Sequence, residues 1–550
     1  MPREFILFGR WSTRKKQERV ILLVFLVLLG LAFTQGYRTV HDLHWAFDPD
    51  FDRDISFARG LLEGNFGKDP NYADAYLWYN PLLFSIEAAI HRATGLPLNI
   101  IAARAGLYLN LLGPILFFLM ISRLFDARTA LASSLFYLFI NSGVIRCWGA
   151  ATYSPWLFPV CFNQFLFYAA IILCYKAYAS QRYHWFLLLG IGIGVCFLGH
   201  TAPAVILILI MAGLHTENLF AASKQKDYQT VRRHLLQAAV AGTAFLVTAM
   251  PLLYYVIGKY RLHLINRETF EYTEGIFYAG NFLDLLKANI NISLVFAIAG
   301  IVWFYRNVHN HLPRRILWLW LYVTLGMYTW STIVAGMDHR FHIKLPGTVP
   351  SFHYFFYFKA LESIFSGFGF LYLTRPLHSS MHLPAAILAS ALLYYPFYRT
   401  RPDFVLGRSE ALSKEKQKDD IQVYNFIVEN IPSDKVVLCE WEASTFPLMP
   451  TGRKMVCNNI TFSNPYLDFY KRDSDRVAML TFLGTGQPPT SLKLFADYNV
   501  AFALISNRKL DRYTSHSPPL GKAVFKNDTY SLFTIDPQSP SRAATINDNR

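Results

Sequence analysis

Few charges, few cysteines and the lack of a phosphate-binding loop separate this sequence from that of a soluble enzyme. Charged side chains make up 16% of the 550 residues, whereas a soluble domain has about 25%. Six cysteines are present, and none has the Cys-x-x-Cys spacing of a zinc or redox site. The sequence has no glycine-rich loop of nucleotide-binding spacing and no internal repeat of the kind that builds many transporters. These absences weigh against a soluble, nucleotide-binding or repeat-built protein.

Apolar segments long enough to cross a bilayer dominate the chain. Hydrophobic residues are 53% of the sequence and aromatic residues 16%, and a membrane-spanning helix needs about 20 mostly apolar residues. Candidate spans lie near residues 20–36, 100–121, 128–142, 157–176, 183–199, 201–215, 234–257, 289–305, 316–336, 353–373 and 382–398. The sequence therefore predicts an all-α polytopic membrane bundle of about 11 transmembrane helices.

The positive charge is arranged along the chain as expected for a membrane protein. The net charge is +15, and basic residues cluster in alternate connections between apolar segments, which is the positive-inside pattern and not a nucleic-acid-binding face. Residues 1–19 carry six basic side chains and no small-residue cleavage site follows, so we expect a cytoplasmic N-terminus and a retained first helix. Alternation then places residues 37–99 and the segment after residue 399 outside.

This topology predicts three regions. Residues 1–19 form a cytoplasmic N-terminus, residues 20–398 a transmembrane domain with first external loop 37–99, and residues 399–550 a soluble extracytoplasmic α/β domain. In the last region, KQKDDIQVYNFIVENIP indicates an amphipathic helix, KVVLCEW a buried strand, and LKLFADYNVAFALIS a helix followed by a strand. Cys439 and Cys457 lie there, and outside the cytoplasm they either form a disulfide or remain free thiols.

Four carboxylates follow the first apolar span at alternate positions. They are Asp48, Asp50, Asp52 and Asp54, within HWAFDPDFDRDISFARGLLEG. Desolvating a carboxylate beside a bilayer costs several kcal/mol on an order-of-magnitude scale, so we expect at least one of them to have a function. Asp54 directly precedes a helix predicted to begin near Ile55 and is expected to cap it, because a carboxylate suits the positive end of a helix.

The rest of the first external loop contains motifs in a characteristic order. DFDRDISFARGLLEG, YNPLL, GLPLN and Arg104 follow one another. This order resembles the GT-C superfamily of membrane glycosyltransferases, of the glycosyltransferase-39 or aminoarabinose-transferase type. In that family the loop runs acidic-x-x-x-aromatic, Ala-Arg-x-Leu-Leu-x-Gly, a Tyr-x-Pro-Pro-Leu-like element, Gly-Leu and an Arg near span two. Aligning Ala58–Gly64 on the family's Ala-Arg motif places its catalytic Asp on Asp50.

The sequence departs from the family pattern in two places. Phe51 follows Asp50 where many members have a second acid, and the proline pair is reduced to Asn80-Pro81. The oligosaccharyltransferase branch has an Asp-Pro element in this loop, which makes Asp48 the second candidate for the base. The Trp-Trp-Asp motif of that branch is absent from the soluble region, so we do not expect this chain to belong to it.

The resemblance implies glycosyl transfer with a lipid-phosphate leaving group. A carboxylate removes the proton from an acceptor hydroxyl, which attacks the anomeric carbon opposite the phosphate and inverts it. Asp50 is the expected base, and Asp52 is expected to orient the acceptor or to join Asp50 in binding a divalent metal, Mg²⁺ or Mn²⁺. No other cofactor is expected. Tyr79 and Asn80, from the YNPLL element, are candidate substrate-binding residues.

A second external cluster has the charge to bind the departing phosphate. The segment GMDHRFHIKLPGTVPSFHYFFYFKALESI lies between spans nine and ten, where the positive-inside pattern does not explain basic residues. Its candidates for substrate binding are His339, Arg340, His342, Lys344 and His353. The alternative is a solvated loop facing lipid headgroups, with Lys359 pairing with Glu362 three residues on. His200 and Arg104 are further candidates, with structural roles as the alternative.

The sequence therefore predicts an enzyme that moves a hexosyl or pentosyl group from a polyprenyl-phosphate donor to an acceptor hydroxyl outside the membrane. The acceptor is a glycan, lipid or protein, and no nucleic acid partner is expected. A bacterial inner membrane is favoured over the endoplasmic reticulum, in the service of glycan or cell-envelope biosynthesis. Two alternatives stay open: a lipid or glycolipid transporter, and a non-catalytic membrane protein of glycan assembly.

Overall fold

The chain folds into many helices and one small sheet. The computed structural model describes residues 7–141, 153–266, 290–309, 311–343, 345, 349, 352–375, 382–487, 490–514 and 520–535. The helices of the first half are α1 (Leu7–Val40), α2 (Pro49–Leu62), α3 (Leu82–Thr94), α4 (Leu98–Arg104), α5 (Gly106–Leu109), α6 (Leu112–Leu124), α7 (Ala127–Leu135), α8 (Pro159–Phe162), α9 (Gln164–Ser180), α10 (Tyr183–Gly199), α11 (Thr201–Lys224) and α12 (Tyr228–Leu253). Short π-helical turns, Phe136–Ile140 and Tyr254–Lys259, continue α7 and α12.

The second half contains further helices and all of the strands. Its helices are α13 (Ile292–Asn307), α14 (His311–Phe341), α15 (Phe352–Leu373), α16 (His382–Arg399), α17 (Pro402–Glu415), α18 (Lys418–Asn430), α19 (Trp441–Ala443), α20 (Phe469–Thr485), α21 (Ser491–Asp497) and α22 (Leu510–Thr514). Its strands are β1 (Val436–Cys439), β2 (Lys454–Met455), β3 (Val500–Ser506), β4 (Leu520–Lys526) and β5 (Tyr530–Ile535).

The predicted spans coincide with helices, although their number as membrane crossings is not confirmed. Within the described residues, five helical segments are long and apolar enough to cross a membrane by length and composition. They are Gln17–Val40, Leu98–Leu124, Pro159–Ser180, Thr201–Lys224 and Tyr228–Lys259. Three shorter apolar helices, Ala127–Ile140, Tyr183–Gly199 and Ile292–Asn307, add to them. The expectation of a helical bundle is therefore confirmed, and the count of about 11 spans stays a prediction.

The chain divides into two compact units. The bundle unit comprises Met1–Asp42, Arg104–Met250 and Thr273–Ser409. The loop–sheet unit comprises Leu43–Ala103, Pro251–Tyr272 and Glu410–Arg550. The first external loop therefore folds with the C-terminal segment.

Close helix packing characterises the bundle unit. A Cβ added to Gly300 of α13 would lie 1.8 Å from the backbone oxygen of Phe365 in α15. The reciprocal Cβ on Gly369 would lie 1.9 Å from the backbone oxygen of Phe296. Small residues at a helix crossing allow this approach, and they drive helix association where lipid removes the hydrophobic gain.

A five-stranded mixed sheet forms the core of the C-terminal region. The strand order is β2-β1-β3-β5-β4, with β1 parallel to β2 and β3, and β5 antiparallel to β3 and β4. Alternate residues of β1 enter opposite hydrophobic clusters, as the two-residue period of a strand requires. Val436 and Leu438 pack with Met479 and Phe495 on one face. The neighbouring Val437 belongs to the cluster on the other face. The expected α/β region is confirmed, with helix and strands where the sequence pattern predicts them.

Hydrogen bonds and ion pairs tie the first external loop to this sheet domain. Arg59 of α2 donates to the Tyr424 hydroxyl at 2.6 Å. Just after α2, Glu63 accepts from the Arg453 guanidinium at 2.8 Å. The Met455 N–H of β2 donates to the backbone oxygen of Asn71 at 2.8 Å. These contacts join residues nearly 400 positions apart in the sequence.

Cys439 and Cys457 do not form a disulfide. Cys439 and Cys457 are both free and both buried. Cys439 closes β1 in the sheet core, while the Cys457 thiol donates to the backbone oxygen of Asn458 at 3.4 Å. The alternative of two free thiols is therefore the correct one.

Candidate active site

The helix that carries the acids begins six residues earlier than predicted. Asp48 has the extended backbone of an N-cap (φ −92°, ψ 141°), and its Oδ1 accepts from the Asp50 N–H at 2.9 Å. Pro49 occupies the first helical position, where its fixed φ is preorganised and its missing N–H costs nothing. The prediction that Asp54 caps this helix is therefore wrong. Asp48 is the cap, and Asp54 lies inside the helix.

Placing the acids on a helix gives them different surroundings. Residues two apart on a helix do not face each other, so Asp50 and Asp52 point in different directions. The Asp50 side chain is 38% exposed, whereas those of Asp52 and Asp54 are each 1% exposed. Of the four carboxylates, Asp50 is therefore the one that is accessible to solvent and does not cap the helix.

Arg53 connects Asp50 to the interior. Its Nη1 donates to Asp50 Oδ1 at 2.7 Å and its Nε to Asp54 Oδ1 at 3.0 Å. The guanidinium also stacks over the ring of Tyr79, 3.9 Å from the ring centre. The structure thus brings the predicted Asp50 and Tyr79 together through a residue that the sequence analysis missed. The Asp-x-x-Arg spacing, which places both side chains on one helix face, was the available signal.

Asp52 forms a buried ion pair with Lys414. Both carboxylate oxygens lie 2.7 Å from Lys414 Nζ. The ammonium also lies 4.5 Å from the ring centre of Phe446 and 5.3 Å from that of Trp45. Burial raises the pKa of Asp52 to about 6, although the ammonium opposes this shift. The sequence offered no signal for this pair, since 362 residues separate the partners.

Burial also perturbs the neighbouring acids. Burial and the charge of Asp50 raise the pKa of Asp48 to about 7, and burial raises that of Asp54 to about 6. Glu87 of α3 is buried, and neither of its carboxylate oxygens has a hydrogen-bond partner among the described residues. Burial and the Asp54 carboxylate raise the pKa of Glu87 well above its ordinary value. Arg53 is therefore the charge that compensates a crowded acidic cluster.

The suggested metal site does not fit this geometry. Asp50 and Asp52 diverge along the helix, and both oxygens of Asp52 already contact Lys414. Among the residues that the structure describes, no group of three His, Cys, Asp or Glu side chains could hold a metal ion. Asp50 and Asp52 therefore do not converge on one point in this structure, and their pairing as metal ligands stays a prediction.

The histidines predicted to bind substrate come together in part. His200 caps α11 by accepting from the Ala202 N–H at 3.3 Å, and its ring centre lies 4.7 Å from that of His353. Both residues belong to the bundle unit. Lys359, in contrast, donates to Glu362 at 3.0 Å in a buried pair, as the structural alternative predicted.

The remaining candidates are distributed as follows. Arg340 and His342 are exposed at the end of α14. Lys344 and the side chain of His339 lie outside the described residues. Asn80 follows Tyr79 in the segment before α3, and Arg104 ends α4 in the bundle unit.

Comparison with known proteins shows the fold. No family model and no curated protein sequence matches this chain. The oligosaccharyltransferase AglB from Archaeoglobus fulgidus, in complex with an inhibitory peptide and a dolichol-phosphate, is similar in structure with a TM-score of 0.53 at 12% identity, over 89% of this chain and 70% of that one. The same organism's oligosaccharyltransferase with Zn and sulfate gives a TM-score of 0.50 at 13% identity, over 89% and 68%.

A second enzyme matches along almost its full length. ArnT from Cupriavidus metallidurans in the apo state has a TM-score of 0.51 at 13% identity, over 94% of this chain and 97% of that one. The GT-C-like fold expected from the first external loop is therefore confirmed. Both branches share it, so the fold does not choose between them.

Proposed function

We propose that the protein is an inverting glycosyltransferase that moves a sugar from a polyprenyl-phosphate donor to an acceptor hydroxyl on the extracytoplasmic side of the membrane. Two findings support this: the GT-C-like fold shared with two glycosyltransferases, and a first loop whose acids have sharply different environments. The dolichol-phosphate in the AglB complex makes a lipid-phosphate donor a reasonable expectation for this chain.

The exposure of Asp50 is the observation that carries the proposal. A general base must reach the proton that it removes. Asp48 caps α2, while Asp52 and Asp54 are buried in ion pairs. Asp50 is more than a third exposed, and Arg53 holds its Oδ1 at 2.7 Å. We therefore assign the base to Asp50, with Arg53 as the residue that positions it.

The proposed step is a single displacement. Asp50 accepts the proton of the acceptor hydroxyl as the acceptor oxygen forms its bond to the anomeric carbon. The bond between that carbon and the phosphate oxygen breaks on the opposite face, and the bonding electrons leave with the lipid phosphate. Inversion follows from attack opposite the leaving group. No step is routed through a metal ion.

The leaving phosphate needs positive charge or hydrogen-bond donors. We propose Arg340, Lys344 and His342 for this role, with the His200–His353 pair as a further contact. Arg340 suits a phosphate because its planar guanidinium can donate two parallel hydrogen bonds. Its exposure at the end of α14 leaves the side chain accessible to a ligand.

The decisive experiment replaces Asp50 with Asn or Ala and measures sugar transfer from a panel of polyprenyl-phosphate sugars. Removing a general base lowers the rate by about 10²–10⁴-fold, so we expect transfer to fall at least 100-fold in both variants. Asp74→Asn is the matched control. Asp74 is exposed in the same loop, and Asn tolerates its left-handed backbone (φ 59°).

Two results would contradict the proposal in different ways. Undiminished transfer by Asp50→Asn would remove Asp50 as the base while leaving the activity. Absence of transfer by the wild type across the whole donor panel would reject the enzyme and favour transport or a non-catalytic role.

A further inference from the structure

A cleft lies beside the proposed active site, entirely within the loop–sheet unit. Its volume is about 320 Å³, within the usual range for small-molecule sites. One wall comes from the first loop and contains Phe47, Pro49 and Asp52. The other walls come from the C-terminal region: Glu410, Ser413, Lys414, Gln417, Thr445 and Phe446.

One wall of the cleft consists of four polar residues between positions 410 and 417. Glu410, Ser413 and Lys414 follow the i, i+3, i+4 spacing of one face of α17, and Gln417 lies just beyond the end of that helix, before α18. Glu410, Ser413 and Gln417 are exposed, whereas Lys414 between them is buried. The cleft thus has a hydroxyl, a carboxylate and an amide at its rim. Together these offer both donors and acceptors.

The charge at the base of the cleft is already compensated. Lys414 directs its ammonium to both oxygens of Asp52 at 2.7 Å. The remaining charged lining residue is Glu410, which is acidic. A phosphate or other anion would therefore meet no uncompensated cation among the lining residues, and a neutral ligand suits the site better.

Aromatic rings complete the lining. Phe47 and Phe446 are partly exposed. The Phe446 ring is held edge-to-face against Trp45, with ring centres 5.1 Å apart. The negative face of an aromatic ring attracts weakly positive hydrogens, and the C–H face of a sugar ring presents such hydrogens while its hydroxyls point to the rim. Aromatic faces with neutral and acidic hydrogen-bonding groups are a combination that fits a saccharide.

We propose that this cleft binds a sugar unit of a glycan acceptor. This inference rests on the proposed function, which it extends by naming the acceptor class. Pro49, which lines the cleft, directly precedes the proposed base Asp50 in the helix. Asp52 orients Lys414 and shapes the base of the cleft, so it positions the acceptor site and does not take the proton.

Binding can be tested without any donor. Maltotriose, chitotriose and mannotriose are titrated against the full-length protein in a detergent that lacks a sugar headgroup, with saturation-transfer NMR as the readout. We expect at least one trisaccharide to bind, and Gln417→Ala and Phe446→Ala each to weaken its affinity at least fivefold. Lys416→Ala, an exposed neighbour outside the cleft, is the matched control.

The outcomes separate the two proposals. If no trisaccharide binds, or if Gln417→Ala binds as tightly as wild type, the cleft proposal is wrong whether or not the protein is a transferase. Should the variants lose binding while wild type transfers no sugar from any donor, the cleft stands and the proposed activity fails. Because Phe446 packs on Trp45, a folding defect in Phe446→Ala leaves the exposed Gln417→Ala to decide.

Discussion

At the scale of single residues, the four acids of the first loop make different contacts because their side chains differ in solvent exposure and in partners. Asp48 accepts a backbone N–H, Asp52 neutralises Lys414, and Asp54 shares Arg53 with Asp50. A buried carboxylate is stable only with a partner or a proton. The cluster uses both solutions, since two basic side chains are present and burial raises the pKa of three of the four acids.

The Asp52–Lys414 pair predicts a pH-dependent loss of stability. Lys414→Met leaves a buried carboxylate without its cation, which costs about 3–5 kcal/mol where the acid is charged. The folded-state pKa of Asp52, about 6, exceeds the ordinary value of 3.8 for an aspartate, so its contribution to stability is present at low pH and is lost as the pH rises through 6. We therefore expect the variant to be strongly destabilised at pH 7.5 and only slightly at pH 4.5.

Thermal unfolding in detergent, followed by intrinsic fluorescence at both pH values, measures this effect. Lys416→Met, an exposed lysine two residues on, serves as the control. Asp52→Asn combined with Lys414→Met should recover part of the loss at pH 7.5. Equal destabilisation at the two pH values would show that Lys414 acts through packing alone.

At the scale of secondary-structure elements, two devices determine the positions of helices. A proline following an aspartate starts α2 early, and paired glycines bring α13 and α15 into backbone contact. The first device aims Asp50 outward and Asp52 inward. Gly326 in α14 is different, because a Cβ added there would meet no atom within 4 Å.

The helix crossing predicts a contrast between two glycines. Gly300→Ala forces a methyl group against the Phe365 backbone oxygen, and overpacking of this kind costs about 1–3 kcal/mol. Gly326→Ala places its methyl in open space, and the higher helix propensity of alanine makes it neutral or slightly stabilising. Melting temperatures of the two purified variants test this. Equal melting temperatures would contradict the close crossing.

At the scale of the whole molecule, the first loop and the C-terminal domain form one folded unit. A loop of about 60 residues between two helices has little core of its own, and here its polar groups find partners on the sheet domain. Asp69 illustrates this, since its carboxylate accepts from Asn464 at 2.9 Å. Truncation of the C-terminal region would therefore disturb the proposed active site as well as any acceptor site.

This arrangement predicts the labelling pattern of engineered cysteines. Lys68→Cys and Glu429→Cys, both exposed in the loop–sheet unit, should react with a membrane-impermeant maleimide added to intact cells or spheroplasts. Lys224→Cys, at the end of α11, should react only after permeabilisation. The parent protein is the blank, because its five described cysteines are buried. Labelling of only one of the first two positions would contradict a shared side.

Local patterns predicted much of the fold because they depend on neighbours along the chain. Apolar runs of sufficient length form helices in a membrane-like setting, and the short continuous apolar run Val436–Cys439 predicted a buried strand. The same reasoning is wrong for Asp54, which directly precedes Ile55 and on that ground alone is predicted to cap the helix. Pro49 favours the first helical position, which makes Asp48 the residue before it, and the Asp48 side chain caps the helix by accepting from the Asp50 N–H.

The sequence by itself determined the helical bundle, the C-terminal α/β domain and the loop in which the chemistry is expected, because hydrophobic period and motif order are local. Only the tertiary structure distinguished one acid from another. Lys414 reaches Asp52 across 362 residues, and Arg53 contacts the ring of Tyr79 as well as Asp50 and Asp54. Exposure, ion pairing and cavity shape arise from contacts between distant segments, and these contacts leave no local pattern to read.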